Sequence, residues 1–276
     1  MAASALRAGI PVIVWNRRRE ATEDLAGRGA QVATSAADAA RRAAIVVTMV
    51  TDADAVISIA RDQGMLEALA PGAIWVQMST IGVAGIDRVA ALASAERPDV
   101  VLLDAPVSGS KDPAERGQLT IFASGPGEAR PRVAPLFEAL GQRTIWVGEA
   151  GAGTRLKLVN NTWLAFANEA VAASVGVAHR LGLATGTVAD ALDGAPLVSP
   201  WQAAKLQRIA EGEFSPQFAL SLALKDVHLA LQAAGEARLP VLACLADEWQ
   251  QAVDQGLGEQ DLTVVTRVIE QQGGTP

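Results

Sequence analysis

The chain has no tyrosine, one cysteine and two histidines. Without tyrosine, no mechanism can use a phenol as its proton donor. The lone Cys244 excludes an internal disulfide framework and any cysteine-rich zinc site, and no metal centre is expected. Basic residues are in deficit: 23 Lys and Arg stand against 30 Asp and Glu, a formal charge of −7. Wrapping nucleic acid is therefore not an expected task. Long apolar runs are missing too. None approaches the ~20 residues that cross a bilayer. The run Ile10–Trp15 is too short for a signal-peptide core. Arg7, Arg17, Arg18 and Arg19 precede the first acid, as in an organelle transit peptide. The cluster at 17–19 reads better as the loop after a buried strand. The expectation is a cytoplasmic protein that binds neither membrane nor nucleic acid.

What is present is a chain of 276 residues, half of them hydrophobic. That suffices for one large domain or two ordinary ones, with a substantial core. Short β-rich runs alternate with helical stretches through the first half. The runs are Ile10–Trp15, Ala44–Val50, Ala73–Met78, Val100–Leu103, Leu119–Ser124 and Thr144–Val147. They are apolar on both parities, as strands covered on two faces should be. Between them, Glu20–Ala26, Ala36–Arg42, Ala53–Ala60, Ile86–Ala95 and Glu128–Leu140 read as crossover helices. Alternating βα units predict a doubly wound, mostly parallel sheet over residues 1–148. From Gly153 on, no convincing strand is found. Residues 149–276 read as an all-helical domain that opens with a long inter-domain helix, Thr154–Leu181. Further helices are expected at Val188–Leu192, Pro200–Ala210, Leu220–Ala234, Pro240–Gln255 and Leu262–Gln271. Cys244 reads as inert core.

A doubly wound fold opens with a strand, a glycine-rich turn and a helix. Here Met1–Arg7 reads as a helix stub, and no G-x-G-x-x-G occurs. The chain reads as short by about fifteen residues, the size of a strand and its phosphate turn. The glycines at 148, 151 and 153 follow a strand and precede a helix, but they lie at the wrong end of the βα region and read as a domain junction. Asn16-Arg17-Arg18 follows the first strand, where such folds meet the adenosine ribose. Arginine there suits the 2′-phosphate of NADP. A solvated loop explains the same residues equally well.

Three segments together resemble the β-hydroxyacid dehydrogenase family, the group of 3-hydroxyisobutyrate dehydrogenases and short-chain semialdehyde reductases. Asp104-Ala-Pro-Val-Ser-Gly-Ser110 resembles its substrate-binding signature. Gly151-Ala-Gly-Thr-Arg-Leu-Lys157-Leu-Val-Asn-Asn161 resembles its catalytic-lysine segment, and Lys225-Asp226 the lysine that closes over the cofactor. Met78-Ser79-Thr80 matches a nicotinamide-side segment. Order and spacing agree along essentially the whole chain. The stretch from Ser108 to Leu119 is most similar to glyoxylate and succinic semialdehyde reductases. Gln77 departs from the family, which often has aspartate there, and an expected proline after Thr80 is missing.

The resemblance implies a Rossmann-like domain related to that of 6-phosphogluconate dehydrogenase, with an all-α second domain. It implies an NADPH-dependent oxidoreductase interconverting a small, carboxylate-bearing aldehyde or keto acid and its hydroxy acid. Lys157 is then the general acid/base. Ser108, Gly109 and Asn161 bind substrate, and Asn16, Arg17, Arg18, Met49, Val50, Thr80 and Lys225 hold NADP(H). A homodimer through the helical domain is also implied. Read without the resemblance, Lys157 is a surface lysine, Ser108-Gly109 an ordinary turn and Lys225 a snorkelling side chain. The chemistry itself needs a group to protonate or stabilise the oxygen that gains charge when a carbonyl accepts hydride. With no tyrosine and only two histidines, the candidate acids are few, and Lys157, flanked by Leu156 and Leu158 and one turn from Asn161, fits the role that the resemblance implies. His228 is given no role. Trp163, Phe166 and Trp201 read as packing residues. An imine reductase on the same fold is one alternative. A dimeric protein that has lost cofactor binding is another.

Overall fold

The computed structural model describes residues 1–272. The chain divides into two compact units, residues 1–157 and the remainder from Leu158. The first begins with α1 (Ala2–Arg7), β1 (Ile13–Val14), α2 (Glu23–Gly27), β2 (Gln31–Val32) and α3 (Ala36–Arg41). It continues with β3 (Ile45–Thr48), α4 (Ala53–Ile57), α5 (Met65–Ala68), β4 (Ile74–Gln77), α6 (Gly82–Glu96) and β5 (Val101–Asp104). It closes with β6 (Val107–Ser108), α7 (Lys111–Arg116), β7 (Leu119–Ala123), α8 (Arg130–Leu140) and β8 (Gly141–Trp146). The helix α9 (Ala152–Arg180) runs on into the second unit.

The βα alternation makes a Rossmann-like unit. β1 pairs in parallel with β2, and β3, β4 and β5 form a parallel ladder. β6, β7 and β8 form a third ladder, in which β6 is antiparallel to β7. The central strand β4 is buried along its whole length. Its period-2 alternation sends Trp75 into one apolar cluster and Ile74, Val76 and Met78 into another. The first cluster gathers Ala36, Val56, Ile86 and Val89 from α3, α4 and α6. The second gathers Ala5 from α1 and Val133 and Phe137 from α8. Helices thus cover both faces, which is why both parities of β4 are apolar. β3 differs, because Val47 is exposed. Asp52 caps α4 by accepting the Ala55 N–H at 2.8 Å.

The second unit is helical: the rest of α9, α10 (Thr185–Leu192), α11 (Pro200–Ala210), α12 (Leu220–Ala234), α13 (Pro240–Ala252) and α14 (Val265–Gln272). Among its described residues the only β pairing is a bridge between Ala219 and Asp261. The expected domain's last four residues lie outside the described ones. Trp249, Leu220, Val264 and Ala172 centre its larger core. A capping box at Ser199 and Gln202, with Pro200 at the first helical position, starts α11. One expectation fails. Cys244 is exposed. The buried stripe of α13 is Leu242, Leu245, Ala246, Trp249 and Ala252, and Cys244 lies off it, beside exposed Val241.

Candidate active site

Ligands meet parallel α/β sheets at the carboxyl ends of their strands. Thr48, Gln77 and Asp104 end β3, β4 and β5 in register, so they form a row along that edge. All three are buried. Gln77 folds back on its own loop: its Oε1 accepts the Ser79 N–H and its Nε2 donates to the Ser79 carbonyl, both at 2.8 Å. An aspartate could not make the second bond, so the departure at Gln77 has a local use. The Val50 N–H donates to Ser79 Oγ at 2.8 Å. That bond ties the loop after β3 to the loop after β4. Three expected cofactor contacts, Met49, Val50 and Thr80, therefore belong to one edge. Met49 is 53% exposed there, and Thr80 is half-buried.

Asn16, Arg17 and Arg18 follow β1 and are exposed. The Arg18 N–H donates to Asn16 Oδ1 at 2.9 Å, which fixes the turn. Among the described residues neither guanidinium is in an ion pair with an acid. Ser108 and Gly109 follow β5 by way of Pro106. Ser108 belongs to the short strand β6 rather than to a turn. Gly109 has φ +129°, and a Cβ there would lie 2.7 Å from Leu119 Cδ2, so the backbone at this point requires glycine.

The amino end of α9 is held from a distance. The Thr154 N–H donates to Asp104 Oδ2 at 2.7 Å, and the Thr154 hydroxyl donates to Oδ1 at 2.8 Å. The Ser124 hydroxyl lies 3.3 Å from Oδ2 and accepts the Gly153 N–H at 2.9 Å. Burial pushes the Asp104 carboxyl above the usual carboxylate range, against the pull of these bonds. Lys157 follows one turn after Thr154 and is only 8% exposed. One turn further on, Asn161 is buried on the same face of the helix.

Asn161 Nδ2 donates to Asp226 Oδ2 at 2.5 Å, and Asp226 Oδ1 lies 2.9 Å from Lys225 Nζ. The second unit thus joins two expected site residues, Asn161 and Lys225, through a buried carboxylate. Lys225 also lines a cavity of about 330 Å³ with His228, Gln232 and Gln250. Two parts of this arrangement had no individual role in the sequence reading. Asp226 is visible there only as the neighbour of Lys225. The Asp104–Ser124–Thr154 cluster joins residues far apart in the chain, and no local pattern marks it.

Residues 1–148 match the family described as the NAD binding domain of 6-phosphogluconate dehydrogenase. Residues 151–269 match the NAD-binding domain of NADP-dependent 3-hydroxyisobutyrate dehydrogenase. The chain is 30% identical to glyoxylate/succinic semialdehyde reductase 1 of Arabidopsis thaliana, over 98% of this chain and 93% of that protein. Its structure is similar to that of a 3-hydroxyisobutyrate dehydrogenase from Salmonella typhimurium, with TM-score 0.87 and 26% identity, covering 97% of this chain and 94% of the other. It is also similar to Psf3 in complex with NADP+ and 2-OPP, with TM-score 0.88 and 25% identity, covering 97% and 95%.

Proposed function

The chain belongs to the β-hydroxyacid dehydrogenase family and is an NAD(P)-dependent oxidoreductase of the hydroxyacid dehydrogenase and semialdehyde reductase type; from that premise we propose that it reduces a small carboxylate-bearing aldehyde or keto acid with NADPH, Lys157 acting as the general acid. The observation that carries this reading is Lys157 itself. A lysine held out of water costs free energy, and this one stands on α9 one turn before an asparagine whose amide is fixed by Asp226.

The residues present fit the 2′-phosphate and nicotinamide ends of a phosphorylated dinucleotide, while the sequence holds no G-x-G-x-x-G for its pyrophosphate. Arg17 and Arg18 offer two exposed guanidinium forks at the end of β1, suited to a phosphate. Met49 offers exposed apolar surface at the carboxyl edge, beside Val50 and Thr80. Lys225 adds a cation from α12. When bound, the reduced nicotinamide supplies the hydride. Ser108 and the open backbone at Gly109 hold the substrate carboxylate. Lys157 gives its proton to the carbonyl oxygen as charge builds there. Asn161, fixed through its Nδ2, orients the substrate. In the oxidative direction the same lysine removes the hydroxyl proton.

The chain also pairs as a homodimer in this reading. Val159, Trp163, Phe166 and Val177 are exposed along α9, and Leu181 is exposed directly after it. Residues 159 and 177 are five full turns apart, so they share a face. An apolar stripe of this length on a helix marks an interaction surface.

The test is direct. The purified chain with NADPH and glyoxylate or succinic semialdehyde, substrates suggested by its plant relative's name, should lose the absorbance of reduced nicotinamide. Bound cofactor with no turnover across a panel of short oxo acids contradicts the proposal.

A further inference from the structure

We propose that Asp104, with Ser124, is a buried anchor for the first turn of α9, and that Asp104 is thereby a positioning residue for Lys157. The inference rests on the reading of Lys157 given above.

The first N–H groups of any helix lack partners within it, and a side chain at the N-cap usually accepts from the second or third residue. Ahead of α9 the chain reads Gly148-Glu-Ala-Gly151, with no Ser, Thr, Asp or Asn to do this. The two amides that a local cap would serve are those of Gly153 and Thr154. Ser124 Oγ takes the first and Asp104 Oδ2 the second. A carboxylate from β5 and a hydroxyl from the residue after β7 thus replace the missing cap. Negative charge at this end of a helix is favourable.

A second constraint acts at the same point. A Cβ on Gly153 would lie 2.2 Å from the Phe122 carbonyl oxygen and 2.8 Å from that of Asp104. The helix end is therefore pressed against the ends of β5 and β7, and only glycine allows the approach. Asp104, Ser124 and the close approach at Gly153 thus fix the start of α9 from three sides.

The consequence falls on the chemistry. Lys157 stands one turn after Thr154 on the same face. Asp104 is also the residue from which the chain runs through Pro106 into Ser108 and Gly109. One carboxylate therefore sets the register between the segment assigned to the substrate carboxylate and the helix that carries the proton donor. A misplacement of about 1 Å in such a pair can cost on the order of a hundredfold in rate.

The experiment compares D104N, T154V, T154S and K157A with the wild type. It reads kcat, KM, the NADPH Kd and backbone amide exchange over residues 153–157. An amide at 104 keeps the shape but loses the charge and one acceptor, so its single oxygen cannot take both the Thr154 N–H and the Thr154 hydroxyl. Thr154→Val removes only the hydroxyl bond and keeps the fold if Asp104→Asn does not. We expect kcat to fall about tenfold in T154V and about a hundredfold in D104N. T154S should return to within twofold of wild type. The NADPH Kd should hold within twofold, and exchange at 153–155 should quicken in both impaired variants. Wild-type kcat in D104N and T154V, beside an impaired K157A, overturns the positioning role alone. Wild-type kcat in K157A overturns the Lys157 reading and the positioning role with it. Loss of rate with unchanged exchange, or without rescue by T154S, also overturns the anchor.

Discussion

Replacing Glu169 by glutamine should stabilise the protein above neutral pH and do little below pH 5. Glu169 lies on α9 beside Trp249 and Glu248 of α13, and its Oε2 accepts the indole N–H at 3.2 Å. Its carboxyl is raised from 4.5 to about 7, first by burial and then by the charge of Glu248, while the Trp249 bond pulls the other way. Burial raises Glu248 as well. Between 4.5 and about 7 the folded chain therefore holds a proton on Glu169 that the unfolded chain has released. Stability linked to this group is full below 4.5, falls as pH rises and reaches its low level above about 7. At about 1.4 kcal/mol per pH unit, the loss is on the order of 3 kcal/mol. Glutamine cannot ionise and still accepts from Trp249, so Glu169→Gln recovers most of that at pH 8. The assay is thermal unfolding of both proteins from pH 5 to 8, and a gain of this size raises Tm by several degrees. A difference that does not change with pH, or an E169Q less stable at pH 8, refutes the reasoning.

Three other outcomes follow. Arg17→Ser should weaken NADPH binding about tenfold or more and leave NADH nearly unchanged, as read by titration calorimetry; equal losses contradict a phosphate contact. Trp163 is 80% exposed on the apolar stripe of α9, so W163E should shift the proposed dimer to monomer in light scattering while the far-UV circular dichroism of the helices stays unchanged. Lys205→Met should cost about 3–5 kcal/mol in urea unfolding, because it leaves a buried carboxylate uncompensated. Lys205 Nζ lies 2.8 Å from Asp261 Oδ1, and Asp261 also accepts from Gln217, Phe218 and Thr263.

The elements legible in the sequence are those whose burial is complete or strictly one-sided. β4 is buried throughout, and its Ile74-Trp75-Val76 reads as a strand apolar on both parities; α11 and α12 carry regular stripes, and their bounds agree with the sequence reading. β2 and β6 are two residues each, too short to leave a period. α5 and α7 each span less than two turns. Cys244 misleads because an apolar helix still has an outer face. Lys157, Asn161, Ser108 and Lys225 could be picked out only through a resemblance, since each alone fits an ordinary surface role. The contacts that hold them were out of reach for a different reason. Asp104 meets Thr154 across fifty intervening steps of chain, and Asn161 meets Asp226 across sixty-five, and such pairings leave no trace in local spacing.

The most direct measurement of the central claim is the rate of NADPH oxidation by succinic semialdehyde in wild type and K157A, beside the NADPH Kd of each. General acid catalysis by one side chain is worth about 10²–10⁴ in rate. The account predicts a kcat at least about a hundredfold lower in K157A with Kd within about twofold of wild type. A K157A enzyme that turns over within about threefold of wild type contradicts it.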